Sequence, residues 1–102
     1  CFVAPPIPLE GIYAAVTRRT LDDQNPEGWV PEQKISVEEA LQRYSVNAAY
    51  ASFEEDVNGT LEPGMLADLV IIDQDLAAIP LEKIRDAKVI LTVLGGKVLY
   101  EE

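Results

Sequence analysis

The chain has 102 residues, enough for one modest hydrophobic core. Eight Lys and Arg face 18 Asp and Glu, and the net charge of −10 argues against nucleic acid or an anionic membrane as partner, since both reward cations. With 48 % apolar and 25 % charged residues the composition is that of a globular protein, and no apolar run approaches the ~20 residues of a membrane helix.

In chain order, Pro5, Pro6 and Pro8 forbid an early helix and make the start extended. Cys1 to Pro6 has no cationic region and no long apolar stretch, so it does not read as a signal peptide. It also starts without Met, which reads as part of a longer polypeptide. The single cysteine cannot form an internal disulfide, and a cytoplasmic location follows as the expectation. Leu9, Ile12, Tyr13 and Val16 recur at i, i+3, i+4 and i+7, the stripe of an amphipathic helix running from Pro8 to Arg19. Pro8 suits its first turn, and Arg18 and Arg19 suit the negative end of its dipole.

Leu21 to Lys34 is a polar loop, and Trp29 within it is expected to plug a local apolar pocket. Ser36-Val37-Glu38-Glu39 is a capping box at the start of a second helix whose stripe is Val37, Ala40, Leu41 and Tyr44. Ser45 can cap a third helix through Asn47 to Ser52, with a bend near Tyr44-Ser45.

From Asp56 the pattern turns to strands. Asn58-Gly59 signals a turn, and Pro63-Gly64 fits the centre of a type II turn. Leu69 to Asp73 reads as a strand buried on both faces. Pro80 to Arg85 predicts one helical turn. Lys88 to Leu94, Gly95-Gly96 and Lys97 to Glu101 predict a hairpin that pairs Val93 with Val98 and Leu91 with Tyr100. Helices followed by strands indicate an α+β fold or the joint between two layers of a larger protein. The second fits better, because three short helices can cover one face of the sheet but hardly two.

No active site is legible in these residues. Histidine is absent, so neither a three-ligand zinc site nor a His-activated nucleophile can be assembled. Asp73-Gln74-Asp75 opens like a calcium loop but has Ala78 and Ile84 at its sixth and twelfth positions. Asn58-Gly59-Thr60 matches a glycosylation sequon and is read as a turn. The acids at Glu54, Glu55 and Asp56 read as solvated surface.

The stretch Gly59-Thr60-Leu61-Glu62-Pro63-Gly64-Met65-Leu66-Ala67-Asp68-Leu69-Val70 resembles a hallmark of the amidohydrolase superfamily, G-x-[IL]-x-x-G-x-x-A-D-[LFI]-[VIA]. Pro8 to Arg19, Pro26 to Asp56 and the terminal Val93 to Glu101 resemble its family 3 branch, which includes N-substituted formamide deformylases, in order and spacing. The resemblance implies an α+β fragment. Residues 1–55 would be the loop and closing helices of a TIM-like barrel, and 56–102 the C-terminal strands of a small β-sandwich. It implies that Cys1 follows the last metal ligand, so that zinc or another divalent metal, and the catalytic residues, belong to the missing N-terminal part of a longer chain. Phe2, Val3 and Pro5 would line the substrate cleft there. Gly59, Pro63, Gly64 and Asp68 would be structural, with Asp68 bonding turn amides at the strand's start.

Two functions follow as expectations. One is an inert C-terminal fragment of a metal-dependent hydrolase of non-peptide C–N bonds. The other is a stand-alone, non-catalytic binding or self-association module. On either, apolar surfaces should be exposed and the isolated chain should form a homo-oligomer.

Overall fold

The computed structural model describes residues 5–102. Residues up to Ala40 with Asp75–Ala87 form one compact unit, and Leu41–Gln74 with Lys88–Glu102 form another.

The first unit is built around helix α1, Pro8–Thr17, with Pro8 at its first position and Glu10 in its first turn. The predicted stripe is its buried face: Leu9, Ile12, Tyr13 and Val16 are all inside. A short 3-10 helix, Leu81–Asp86, packs on α1 and brings the fully buried Ile84 with it, while Leu76 and Ala87 are buried in the same unit. The helix ends two residues earlier than Arg19. Arg18 turns left-handed, φ 57°, and its amide bonds the Ala14 carbonyl at 2.8 Å. Thr17 Oγ1 donates to the Tyr13 carbonyl and accepts from the Arg19 amide, which completes the stop. Arg18 and Arg19 therefore lie beyond the last turn rather than in it.

Trp29 departs from expectation. It is 64 % exposed. Its amide donates to the Arg18 carbonyl at 2.8 Å, and Arg18 Nε donates back to the Trp29 carbonyl at 3.0 Å. The guanidinium then sits 5.4 Å from the ring centroid. The indole is a plate for a cation rather than a plug, an arrangement worth about 0.5–1 kcal/mol when exposed.

Helix α2, Val37–Tyr44, begins at the predicted capping box: Glu39 N donates to Ser36 Oγ and Ser36 N to Glu39 Oε2, each at 3.1 Å. Helix α3, Val46–Ala51, follows after the single-residue bend at Ser45. Here the expected cap fails. Ser45 Oγ donates backward to the Leu41 carbonyl at 2.7 Å, so its hydroxyl belongs to α2 and leaves α3 without a side-chain cap.

The end of α3 is a Schellman motif: Phe53 N donates to Tyr50 O and Glu54 N to Ala49 O. The left-handed position, usually glycine, holds Phe53 at φ 61°, 92 % exposed. Its side chain gains little burial there and its Cβ strains the backbone. Phe53→Gly is expected to raise stability by about 0.5–1 kcal/mol, read as a higher urea midpoint at unchanged slope.

The second unit also carries the sheet. Strands β1 (Leu69–Ile72), β2 (Val89–Leu94) and β3 (Lys97–Glu101) form an antiparallel meander in the order β1-β2-β3. Val93 pairs with Val98 as expected, but Tyr100 faces Thr92 and Glu101 faces Leu91. The cause is a bulge: Leu99 is an extra residue between Val98 and Tyr100, and it slips the register by one. β1 was expected to be buried on both faces, yet Val70 is 52 % and Ile71 45 % exposed. The apolar run is there, and the described residues do not cover it. Of the nine buried apolar residues among those described, eight lie in the first unit, and Ala49 alone lies in the second.

Candidate functional site

The family-like stretch from Gly59 to Val70 folds as a turn, a short connection and a strand. Pro63-Gly64 is the predicted type II turn, with Gly64 at φ 93° and Met65 N donating to Glu62 O at 3.1 Å. Gly59, at φ 101°, lies against α3. Asp68 accepts a hydrogen bond from a turn amide, but not from a turn beside it in sequence. Its Oδ1 accepts from Gly95 N at 2.7 Å, and the neighbouring Ala67 carbonyl accepts from Gly96 N at 3.0 Å. The Ala-Asp pair thus holds the β2–β3 loop against the start of β1. Phe2 and Val3 lie outside the described residues, and Pro5 is exposed ahead of α1.

A side-chain cluster that sequence spacing does not reveal is Tyr13, Asp23 and Arg85. Tyr13 donates its hydroxyl to Asp23 Oδ1 at 2.5 Å. Arg85 Nη1 reaches Asp23 Oδ2 at 3.0 Å, the Tyr13 oxygen at 3.2 Å and the Leu21 carbonyl at 2.8 Å. The guanidinium also lies 5.2 Å from the Tyr13 ring centroid. No linear motif marks this group, because 62 residues separate Asp23 from Arg85. The Tyr13 hydroxyl and then the Arg85 guanidinium hold the Asp23 carboxyl below its ordinary 3.8. Burial, and then the Asp23 carboxylate, push the Tyr13 phenol up. The hydrogen bond to Asp23 raises Arg85 further.

These shifts describe a structural ion cluster. The phenol is kept protonated and the carboxylate kept charged, so neither is poised as a base near neutral pH. A carboxyl depressed in the fold stabilises it above its unfolded pKa, and that contribution fades as pH falls through the depressed value. Asp23→Asn should therefore lower stability by a constant amount near neutrality. The gap from the unsubstituted chain should close below about pH 4, as read by thermal melts across acid pH.

A shallow concavity of the first unit is lined by Ala14, Arg18, Arg19, Thr20, Asn25 and Trp29. It offers cations and amide groups but no nucleophile paired with a base.

The residues present do not fit a catalytic metal. The sequence has no histidine, and among the described residues no three His, Cys, Asp or Glu side chains converge. Several ordered carboxylates are already engaged: Asp23 as above, Asp68 on Gly95 N, Asp73 on Lys88 N at 2.8 Å, and Asp75 on Ala77 N at 3.0 Å. Among the described residues no helix is long and apolar enough to cross a membrane.

Comparison with known proteins gives the frame for this geometry. The profile of the amidohydrolase family matches residues 1–100. An N-substituted formamide deformylase of Arthrobacter pascens is 31 % identical over 92 % of this chain and 17 % of its own length. The protein LONG AFTER FAR-RED 3 of Arabidopsis thaliana is 37 % identical over 91 % of this chain and 15 % of its own. The putative amidohydrolase YtcJ of Bacillus subtilis (strain 168) is 28 % identical over 98 % of this chain and 19 % of its own. The chain thus spans less than a fifth of the length of these curated relatives. No solved structure matches it.

Proposed function

This chain belongs to the amidohydrolase family, and we propose that it is the C-terminal part of a longer metal-dependent hydrolase of non-peptide C–N bonds, inert by itself. The observation that carries this reading is a disproportion. Similarity runs along nearly the whole chain but covers only 15–19 % of each relative, while the sequence has no histidine and no metal-donor cluster forms among the described residues. The metal, zinc or another divalent ion, and its ligands would reside in the remainder of the polypeptide. On this reading residues 1–55 close the barrel domain and 56–102 supply strands of the sandwich domain. The named deformylase relative points to N-substituted amides as the substrate class.

The role of this chain's own residues is then architectural. The Ala67-Asp68 clamp fixes the hairpin loop, and β1 offers an uncovered apolar strand, Val70 and Ile71, to the rest of the protein. In isolation the same strand favours self-association.

The test is hydrolysis of N-substituted formamides, read as amine release. The isolated chain should release none with or without added zinc. A longer polypeptide ending in this sequence should release amine and lose activity to a chelator. Chelator-sensitive turnover by the isolated chain would overturn the proposal. Monodisperse monomer in sedimentation at tens of micromolar would remove the self-association.

A further inference from the structure

We propose that Asn58 is a site of spontaneous covalent modification, at which the side-chain amide is lost through a cyclic imide closed by the backbone nitrogen of Gly59. The chain contains three asparagines, and the fold separates them. Asn25 precedes Pro26, whose nitrogen carries no hydrogen and cannot close the ring. Asn47 lies inside α3, where helical geometry fixes the following amide. Asn58 lies in a bend, outside any helix or strand. Its successor has no Cβ to obstruct the approach. The Gly59 N–H makes no hydrogen bond among the described residues, so the attacking nitrogen has no partner to give up. Among the described residues the Asn58 side chain is held only by a long contact, Nδ2 to Glu54 Oε2 at 3.4 Å.

The chemistry balances with water alone. The Gly59 nitrogen gives its proton to solvent base and bonds to Asn58 Cγ. The Cγ–Nδ2 bond breaks, and ammonia leaves after taking up a proton. Water then opens the five-membered imide. Opening at Cγ gives aspartate. Opening at the main-chain carbonyl gives isoaspartate, in which the backbone runs through the former side chain. Nothing is oxidised or reduced.

The surroundings make the product matter. A new carboxylate joins Glu54, Glu55 and Asp56, and Glu54 exchanges a hydrogen-bond donor for a like charge. Isoaspartate also lengthens the main chain just ahead of Gly59. That glycine is already so close to α3 that a Cβ on it would lie 2.9 Å from Ala49 Cβ. The modified chain should be looser where α3 meets this turn.

The full chain, incubated folded at mildly alkaline pH and physiological temperature, tests this by ammonia release, isoelectric focusing and peptide mapping. The expected result is one added negative charge per chain, located at Asn58 with isoaspartate among the products, while Asn25 and Asn47 stay intact. Asn58→Gln should gain no charge under the same conditions. Asn58→Asp should co-migrate with the product and melt at a lower temperature than the starting chain. Conversion of the urea-unfolded chain with none in the folded one would overturn the site. So would conversion at Asn25 or Asn47 ahead of Asn58. An unchanged melting temperature for both Asn58→Asp and the isoaspartate product would overturn the loosening.

Discussion

Ile84→Ala is expected to destabilise the chain by about 2–5 kcal/mol, against about 0.5–1.5 for Ile84→Val. Ile84 is the buried residue of the 3-10 helix Leu81–Asp86, and Ala87, extended just past its end, is buried with it. Ile84 has no exposed surface, and Tyr13 is its counterpart in α1. Truncation removes apolar contact and leaves a void between the two elements, which the polar Tyr13–Arg85 contact at their edge does not fill. For a chain of this size the loss should move the melting temperature down by about 10–30 °C. Leu81→Ala, at 42 % exposure, serves as the control and should cost far less. An Ile84→Ala chain that melts with the control would mean that the helix is not held by its core.

The second large effect is expected at Gly59. Two glycines of the family-like stretch share a backbone conformation and differ in surroundings. Gly59 has φ 101° and Gly64 φ 93°, where any side chain is strained. Around Gly64 a Cβ would meet nothing within 4 Å, so Gly64→Ala carries only the backbone penalty, about 1–3 kcal/mol. At Gly59 the same Cβ would lie 2.9 Å from Ala49 Cβ and 3.3 Å from Val46 Cα. Gly59→Ala therefore adds an overpacking cost of about 1–3 kcal/mol to the same strain. It falls on Ala49, the one buried apolar residue among those described in its unit. Urea unfolding of the two variants separates the effects. Equal midpoints would show that α3 moves aside freely and that the close approach is not structural.

What was legible in the sequence was what neighbours decide among themselves. The Leu9-Ile12-Tyr13-Val16 stripe, the Ser36–Glu39 box and the Pro63-Gly64 turn each complete their signal within eight residues, and each appears as read. The failures share a different cause. Arg18 leaves the helix early in a conformation stabilised by reciprocal bonds to Trp29, eleven residues on. Trp29 faces outward because that partner is a guanidinium, which no hydrophobicity pattern records. Ser45 could have capped the helix after it or bonded the one before, and its own residue type does not choose. The slip at Leu99 follows from a bulge, which alternation cannot reveal. The Tyr13-Asp23-Arg85 cluster joins segments that only the folded chain brings together. At the candidate site little was legible, because the bond from Gly95 N to Asp68 joins groups 27 residues apart, which no linear pattern records.

The clamp at Asp68 and the bond from Lys88 N to Asp73 have a bearing on synthesis at the ribosome. They place an acid on each side of the apolar run Leu69–Ile72. β1 is synthesised before its partner β2, and segment 73–88 sets a delay of about 1–3 s between them at about 5–20 residues per second. During that interval the nascent strand is a ready template for a neighbouring polypeptide. The flanking carboxylates act as gatekeepers by repelling such pairings. Once the hairpin arrives, the same two groups become acceptors for its amides and take up their native roles.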